Sequence, residues 1–357
     1  MNKESPAQLN VFKVAATYIG TVVGAGFASG QEVLQFFSAY GITGIFGIIF
    51  ATLLFFFFGY TILVIGKALN VSSYVEVVRF TNGKIIGTII DIIITVFLFG
   101  ALAAMIAGAG AIFDEQFQLA SLWGTILMAI ISLLTVITGM KGVINAISYV
   151  VPVLLVSVLF IATYSISINP ITAADLQASK SIEGAAPNWF ISALNYASYN
   201  LVIAVAVLAP MGAKAKNKNT LLWGALLGGL GLGIGIIAIF FSILTNLDSV
   251  SNVEVPMILI ASKIAPFIQL IFAIVLFAEV YTTAVGNLYG FVSRMNFIAA
   301  RFRIWVIAGT TLAAFLFSQI GFSAMVKYLY PAVGYGGFLF FAGLIYVWIF
   351  KREQLKG

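Results

Sequence analysis

The sequence predicts an all-α membrane protein, a single polytopic domain of ten transmembrane helices. Five plus five of them form an inverted repeat in which the first and sixth helices are discontinuous. Three observations carry this expectation. Of the 357 residues, 62% are hydrophobic and only 8% charged, where a soluble protein would carry about 25% charged residues. Apolar runs of bilayer-crossing length, about 20 residues, recur to the end of the chain. Basic residues crowd alternate loops and are nearly missing from the others.

The runs lie at roughly 11–39, 43–66, 85–112, 122–140, 143–166, 189–210, 219–245, 265–291, 302–319 and 323–350. Repeat one is expected at about 11–166 and repeat two at about 189–350. The opening MNKESPAQLN is polar and lacks the small-residue cleavage site of a secretory signal, so the first span is expected to be retained. With the amino terminus inside, inner segments hold Lys3, Lys13, Lys67, Arg79, Lys84, Lys141, Lys214, Lys216, Lys218, Arg294, Arg301, Arg303, Lys351, Arg352 and Lys356. Outer loops hold only Lys180 and Lys263, while Lys327 sits near the outer end of the tenth span and should snorkel. Basic loops mark the cytoplasmic side, so both termini are expected there. The net charge of +6 is thereby a topology signal and not a nucleic-acid site. Neither cysteine nor histidine occurs, which excludes disulfides, thiol catalysis and the usual zinc and haem ligand sets.

The first span contains GTVVGAGFASGQE, Gly20 to Glu32. Ser29-Gly30-Gln31-Glu32 has the form of a capping box. A helix that starts at mid-membrane implies that another has just stopped. Gly24, Gly26 and Gly30 permit the backbone angles an interruption needs. Unwound backbone in hydrocarbon costs several kcal/mol per unpaired group unless protein, water or a ligand supplies partners. The segment therefore reads as a gap whose amides and carbonyls serve as ligands. The spacing of Gly20, Gly24 and Ala28 also fits close helix packing. GAGFASG has one residue too many for a dinucleotide fingerprint, and no Walker-type phosphate loop occurs.

Inverted repeats pair the first span with the sixth, and solutes and ions bind at the gaps. The sixth span carries the densest polar cluster, Asn195, Tyr196, Ser198, Tyr199 and Asn200, and is expected to break and to line a cavity. In the eighth span Glu279 falls near the centre, where an ionisable residue is functional by default. Thr282, Thr283, Gly286, Asn287 and Gly290 extend from it as one polar stripe. Asp91, among basic neighbours at the inner end of the third span, reads as an ion pair of a gate or loop. Gly224, Gly228, Gly231 and Gly235 read as a packing face. Pro331 with Gly334, Gly336 and Gly337 should bend the tenth span. Phe27 and Tyr199 stand where a cavity wall would be.

These motifs, with the Gly24-Ala25-Gly26 turn, resemble the amino acid–polyamine–organocation superfamily and its LeuT-like relatives. GTVVGAGFASGQE further resembles the YkvI-type group of bacterial membrane proteins within it, over most of the chain. The resemblance implies a LeuT-like fold in a bacterial cell membrane. It implies that Gly24, Ala25 and Gly26 bind substrate, often an amino-acid carboxylate. It also implies a sodium site of the Gly20, Val23 and Glu279 carbonyls with the Thr282 and Thr283 hydroxyls. Neutral oxygens of this kind suit a hard monovalent cation. Phe27 replaces the asparagine that follows the turn in sodium–neurotransmitter symporters, which puts a second sodium in doubt. Glu279 lies outside the general pattern.

The expected function is secondary transport of a small organic solute, most plausibly an amino acid, with sodium as coupling ion and no other cofactor. A proton carried by Glu279, which could instead neutralise a substrate amine, is the alternative coupling. A non-transporting nutrient sensor of the same fold is the alternative class. A channel ranks lower, and enzyme function lowest, since no nucleophile–base or metal set emerges. Expected partners are the solute and the lipid bilayer, with no nucleic acid; the sequence names no protein partner.

Overall fold

In a computed structural model the protein is described over residues 9–71, 73–138, 141–172, 175, 182–295 and 300–355, with backbone alone over 141–149 and at 300, 352 and 355. Lys3, Lys180 and Lys356 lie outside the described residues. Among the described residues, eight helices are long and apolar enough to cross a bilayer. Two shorter apolar helices, Val11–Val22 and Arg303–Ser318, bring the spans to the expected ten.

The first span is three pieces, α1 (Val11–Val22), α2 (Ala25–Ser29) and α3 (Gln31–Phe36). The second runs Thr43–Leu69 and stops at Asn70, whose left-handed φ of 49° closes it. The third, Tyr74–Phe117, counts 44 residues, or about 66 Å at 1.5 Å per residue, twice what a bilayer core spans. Gly83, at φ 72°, breaks it. The membrane-crossing part thus starts beside the expected residue 85, and 74–82 is a separate helix opened by a true capping box, Ser73 with Glu76.

The fourth to ninth spans are Ser121–Thr138, Lys141–Ile168, Trp189–Lys214, Lys218–Leu244, Pro266–Ser293 and Arg303–Ser318. The tenth opens as Phe322–Ala324, widens into a π turn at Met325–Leu329 and continues as Tyr330–Phe350. Pro331 has no amide to donate, so the ladder is already loosened in the turn before it. The irregularity expected around Pro331 is this π turn.

Packing sorts the spans into groups. The first, second, sixth and seventh form one bundle, and the third, fourth, eighth and ninth another; the fifth and tenth bridge them. Small residues set the distances in the first bundle. A Cβ on Gly66 would come within 2.9 Å of the Ala209 carbonyl carbon, and one on Gly212 within 2.9 Å of that of Leu63. The second and sixth spans thus meet backbone to backbone, as close approach through small residues allows. The predicted glycine face of the seventh span receives the first: Gly224 faces Val14, Gly228 faces Tyr18, Gly231 faces Ile19 and Gly235 faces Phe27. Tyr18 is fully buried and donates its hydroxyl to the Phe55 carbonyl at 2.7 Å, tying α1 to the second span as well.

The expected break in the sixth span does not occur. Trp189–Lys214 is one continuous helix. No glycine interrupts its middle, and its polar side chains find uses that leave the backbone wound. Ser192 Oγ donates to the Phe36 carbonyl, Asn195 Nδ2 to that of Pro331, Ser198 Oγ to that of Gly334, and Asn200 Nδ2 to that of Tyr196. Only the first of the two predicted discontinuities is real here.

Candidate solute and ion site

The interruption of the first span can be followed bond by bond. The last bond of α1 runs from the Val23 amide to the Ile19 carbonyl at 2.8 Å, and that of Ala28 to Gly24 at 3.0 Å starts the next helix. Gly24 lies between them in extended conformation, φ −124° and ψ −172°. The carbonyls ending α1 and the amides beginning α2 therefore lack helical partners. A second interruption follows at Gly30, whose φ of 84° favours glycine. The expected capping box at Ser29–Glu32 does not form. Ser29 Oγ donates to the Gly26 carbonyl at 2.9 Å and accepts from the Gln31 amide at 3.2 Å, but Glu32 does not reach back to Ser29. The new start at Gln31 is capped by left-handed Gly30, without a side-chain cap.

Glu32 instead folds onto Gly26. A Cβ at Gly26 would lie 2.8 Å from the Glu32 carboxyl carbon, so the missing side chain makes the room. The Tyr196 and Tyr199 phenols of the sixth span face the same carboxylate, and Tyr330 of the tenth lies within electrostatic reach. Aromatic rings enclose it: Phe36 stands 5.4 Å from Tyr196 and 5.6 Å from Tyr199, and Tyr199 stands 5.2 Å from Tyr330. Glu32 is 5% exposed. Its Oε2 and both tyrosine hydroxyls are buried with no partner at full hydrogen-bond geometry, and each phenol stands close enough to the carboxylate to donate to it. Sequence reasoning assigned Glu32 a capping role and missed it as a site residue. The signal was present, since a carboxylate inside a span is functional by default.

The predicted substrate residues thus divide. Gly26, Tyr196 and Tyr199 converge on Glu32; Gly24 forms the unwound turn beside them and Ala25 opens α2. Phe27 turns away, its ring tip 2.8 Å from where a Cβ on Gly235 would sit, and is fully buried against the seventh span. Asn195 and Ser198 point at the tenth span, where Gly334 and Gly337 leave space for their side chains. Asn195 Oδ1 remains unpartnered.

In the eighth span Glu279 is 3% exposed, with Oε2 buried and unpartnered. The Thr283 hydroxyl lies 3.4 Å from Glu279 Oε1, and that of Thr282 donates to the Glu279 carbonyl at 3.0 Å. The eighth span packs on both α2 and the fifth span. Gly20 faces Val151 of the fifth, and Val23 is buried at the end of α1.

A cavity of about 640 Å³ opens at the basic end, lined among others by Tyr74, Asp91, Phe97, Gly286, Gly290 and Arg294. Its rim carries the predicted ion pair of Asp91, made with Arg294 Nη1 at 2.6 Å. Its floor is Phe97, whose ring stands 6.3 Å from Tyr199 and 5.5 Å from Tyr330. Phe97 thus lines the cavity on one face and neighbours the tyrosines of the Glu32 site on the other. The stripe Glu279, Thr282, Thr283, Gly286 and Gly290 runs along the eighth span towards the cavity wall. At the other end, described residues of several elements meet. Gly30 abuts Met257 and Pro256, Glu115 Oε1 accepts the Glu254 amide at 2.5 Å, and Glu254 Oε2 accepts that of Phe322 at 3.4 Å. There Tyr40 donates to the Ala186 carbonyl at 2.5 Å, and Lys327 reaches out to Glu183 at 2.6 Å.

The chain is 32% identical over 334 residues to the membrane protein YkvI of Bacillus subtilis (strain 168), covering 93% of this chain and 94% of YkvI. The chain belongs to the YkvI family. It is also 28% identical to YyaD of the same organism over 319 residues, 88% of this chain and 90% of YyaD. No protein-family model matches. Among solved structures, MhsT in complex with L-phenylalanine superposes with a TM-score of 0.66 at 16% identity, covering 96% of this chain and 90% of MhsT. The inward-facing conformation of Mhp1 gives 0.59 at 12% identity, covering 98% of this chain and 80% of Mhp1. A manganese transporter of Eremococcus coleocola gives 0.55 at 16% identity, covering 87% and 72%. These likenesses establish the LeuT fold for this YkvI-family member, and at such identities they establish the fold alone.

Proposed function

We propose that this YkvI-family protein is a secondary transporter that carries a small organic solute bearing an amino group by alternating access, coupled to sodium. An amino acid is the first solute to test. The observation that supports this reading most directly is the interruption at Val23–Gly24. It sets peptide groups without helical partners beside Glu32, Tyr196 and Tyr199, and Phe97, a neighbour of Tyr199, lines a cavity at the basic end. A continuously hydrated pore has no need of such an enclosed polar site. By the distribution of basic residues the open end is cytoplasmic, so the described state faces inward.

The ion reading rests on the free carbonyls at the end of α1, which include Gly20 and Val23, with Thr282, Thr283 and the Glu279 carbonyl on the eighth span. Carbonyl and hydroxyl dipoles replace the hydration shell of a monovalent cation. Proton coupling is a second reading, favoured by the unpartnered Oε2 of Glu279. Uptake into proteoliposomes, with and without an imposed sodium gradient and with and without a pH gradient, tests the proposal. Accumulation driven by sodium supports it. Binding without flux turns the reading to a sensor, and ion current without solute flux turns it to a channel.

A further inference from the structure

The Glu32 site has an electrostatic character that the fold alone does not confer. It holds a buried carboxylate, two buried phenol oxygens and a wall of aromatic rings. No lysine or arginine among the described residues pairs with Glu32. Burying an ionised carboxylate is costly unless a charge of opposite sign accompanies it. The rings add to the same demand, because their faces attract cations. Either a proton or a cation must answer the carboxylate, and the rings favour a cation.

We infer that Glu32 is the ligand for the ammonium group of the transported solute, and that the site selects an organic amine with an apolar body in which a carboxylate is dispensable. This rests on the transport reading and names its solute class. The ammonium sits between Glu32 Oε2 and the Tyr196 and Tyr199 hydroxyls, and the apolar body lies against Phe36, Phe97 and Tyr330. A weakly hydrated organic cation matches rings better than a strongly hydrated inorganic one. A solute carboxylate placed at the Gly24–Gly26 turn faces Glu32 across Gly26 and is repelled by it.

Matched triads that share one apolar body test the inference. Phenethylamine, L-phenylalanine and 3-phenylpropionate form one, and 3-methylbutylamine, L-leucine and 4-methylpentanoate another. Binding is measured on the full-length purified protein in sodium buffer by calorimetry and thermal shift. In at least one triad the amine is expected to bind, the amino acid more weakly and the acid not at all. Glu32→Gln is expected to weaken amine binding on the order of 10–100-fold, with partial recovery in Glu32→Asp. Should Glu32→Gln not be recovered folded, Tyr199→Leu is expected to narrow the preference for amine over acid at least fivefold. The inference is overturned if no amine binds, if the acid binds as tightly as its amine, or if these variants leave the preference unchanged. Its failure is distinct from that of the transport reading: amino acids taken up without amine binding sink the inference alone, whereas amines bound but never moved across liposomes sink transport alone.

Discussion

Gly26 and Glu32 occupy each other's space: the Glu32 carboxyl carbon lies 2.8 Å from where a Cβ on Gly26 would be. Gly24, two residues away in the same turn, has nothing within 4 Å of such a Cβ and a φ of −124° that any residue adopts. The two glycines therefore answer to different constraints. Gly26→Ala is expected to push Glu32 off the Tyr196–Tyr199 pair, with overpacking of about 1–3 kcal/mol and at least a tenfold loss of solute affinity. Gly24→Ala should keep the fold and most of the binding. Thermal unfolding and ligand titration of both variants check this; equal losses would refute the assignment.

Phe27 tests the division of the predicted wall residues. Its ring fills the notch at Gly235, so Phe27→Ala empties a buried contact between the first and seventh spans. A loss of about 3–5 kcal/mol is expected from such a truncation, read as a lowered melting temperature. The ranking of solutes by affinity should stay the same. A changed ranking with unaltered stability would return Phe27 to the solute site.

The ion assignments separate by substitution on the eighth span. Thr283→Ala is expected to raise the sodium concentration for half-maximal uptake about tenfold or more while leaving solute selectivity in place. Glu279→Gln keeps the shape and removes the ionisable group. If a proton couples transport, uptake by this variant should no longer respond to a pH gradient; if sodium does, its sodium dependence should persist. Sodium titration of uptake at two pH values distinguishes them, and an unmoved sodium response in Thr283→Ala counts against the proposed ion site.

The chain has no cysteine, which makes its own accessibility measurable without prior engineering. Gly286 lines the cavity and has open space at its Cβ position. Gly286→Cys should react with a membrane-impermeant thiol reagent applied from the basic side and not from the other. Asp91→Asn, which removes the partner of Arg294, is expected to speed that labelling severalfold, because the half-exposed pair holds the rim with only about 1 kcal/mol. Labelling from the opposite side in the absence of solute would contradict the inward-facing assignment.

Much of this was legible along the chain. Spans are set by the thickness of hydrocarbon and by the need to satisfy every peptide group, both local demands, so the ten runs can be read from hydropathy. Gly20 to Glu32 announced a break by composition, and Gly224 to Gly235 announced a packing face by spacing. Glu32 was mistaken because Ser29 to Glu32 satisfies a local pattern, whereas its carboxylate folds onto Gly26 instead. The sixth span was mistaken for the converse reason. Its polar cluster looked like a gap, but Asn195 and Ser198 bind carbonyls of the tenth span, more than a hundred residues away.

By itself, then, the order of residues determined that this is a ten-span membrane protein with an interrupted first helix and basic loops on one side. Only the packing of spans decided which polar side chains meet each other and which are spent on neighbouring backbone. The reason is physical: winding and insertion depend on residues within a few turns, while the environment of a buried carboxylate is set by whatever other helices bring to it.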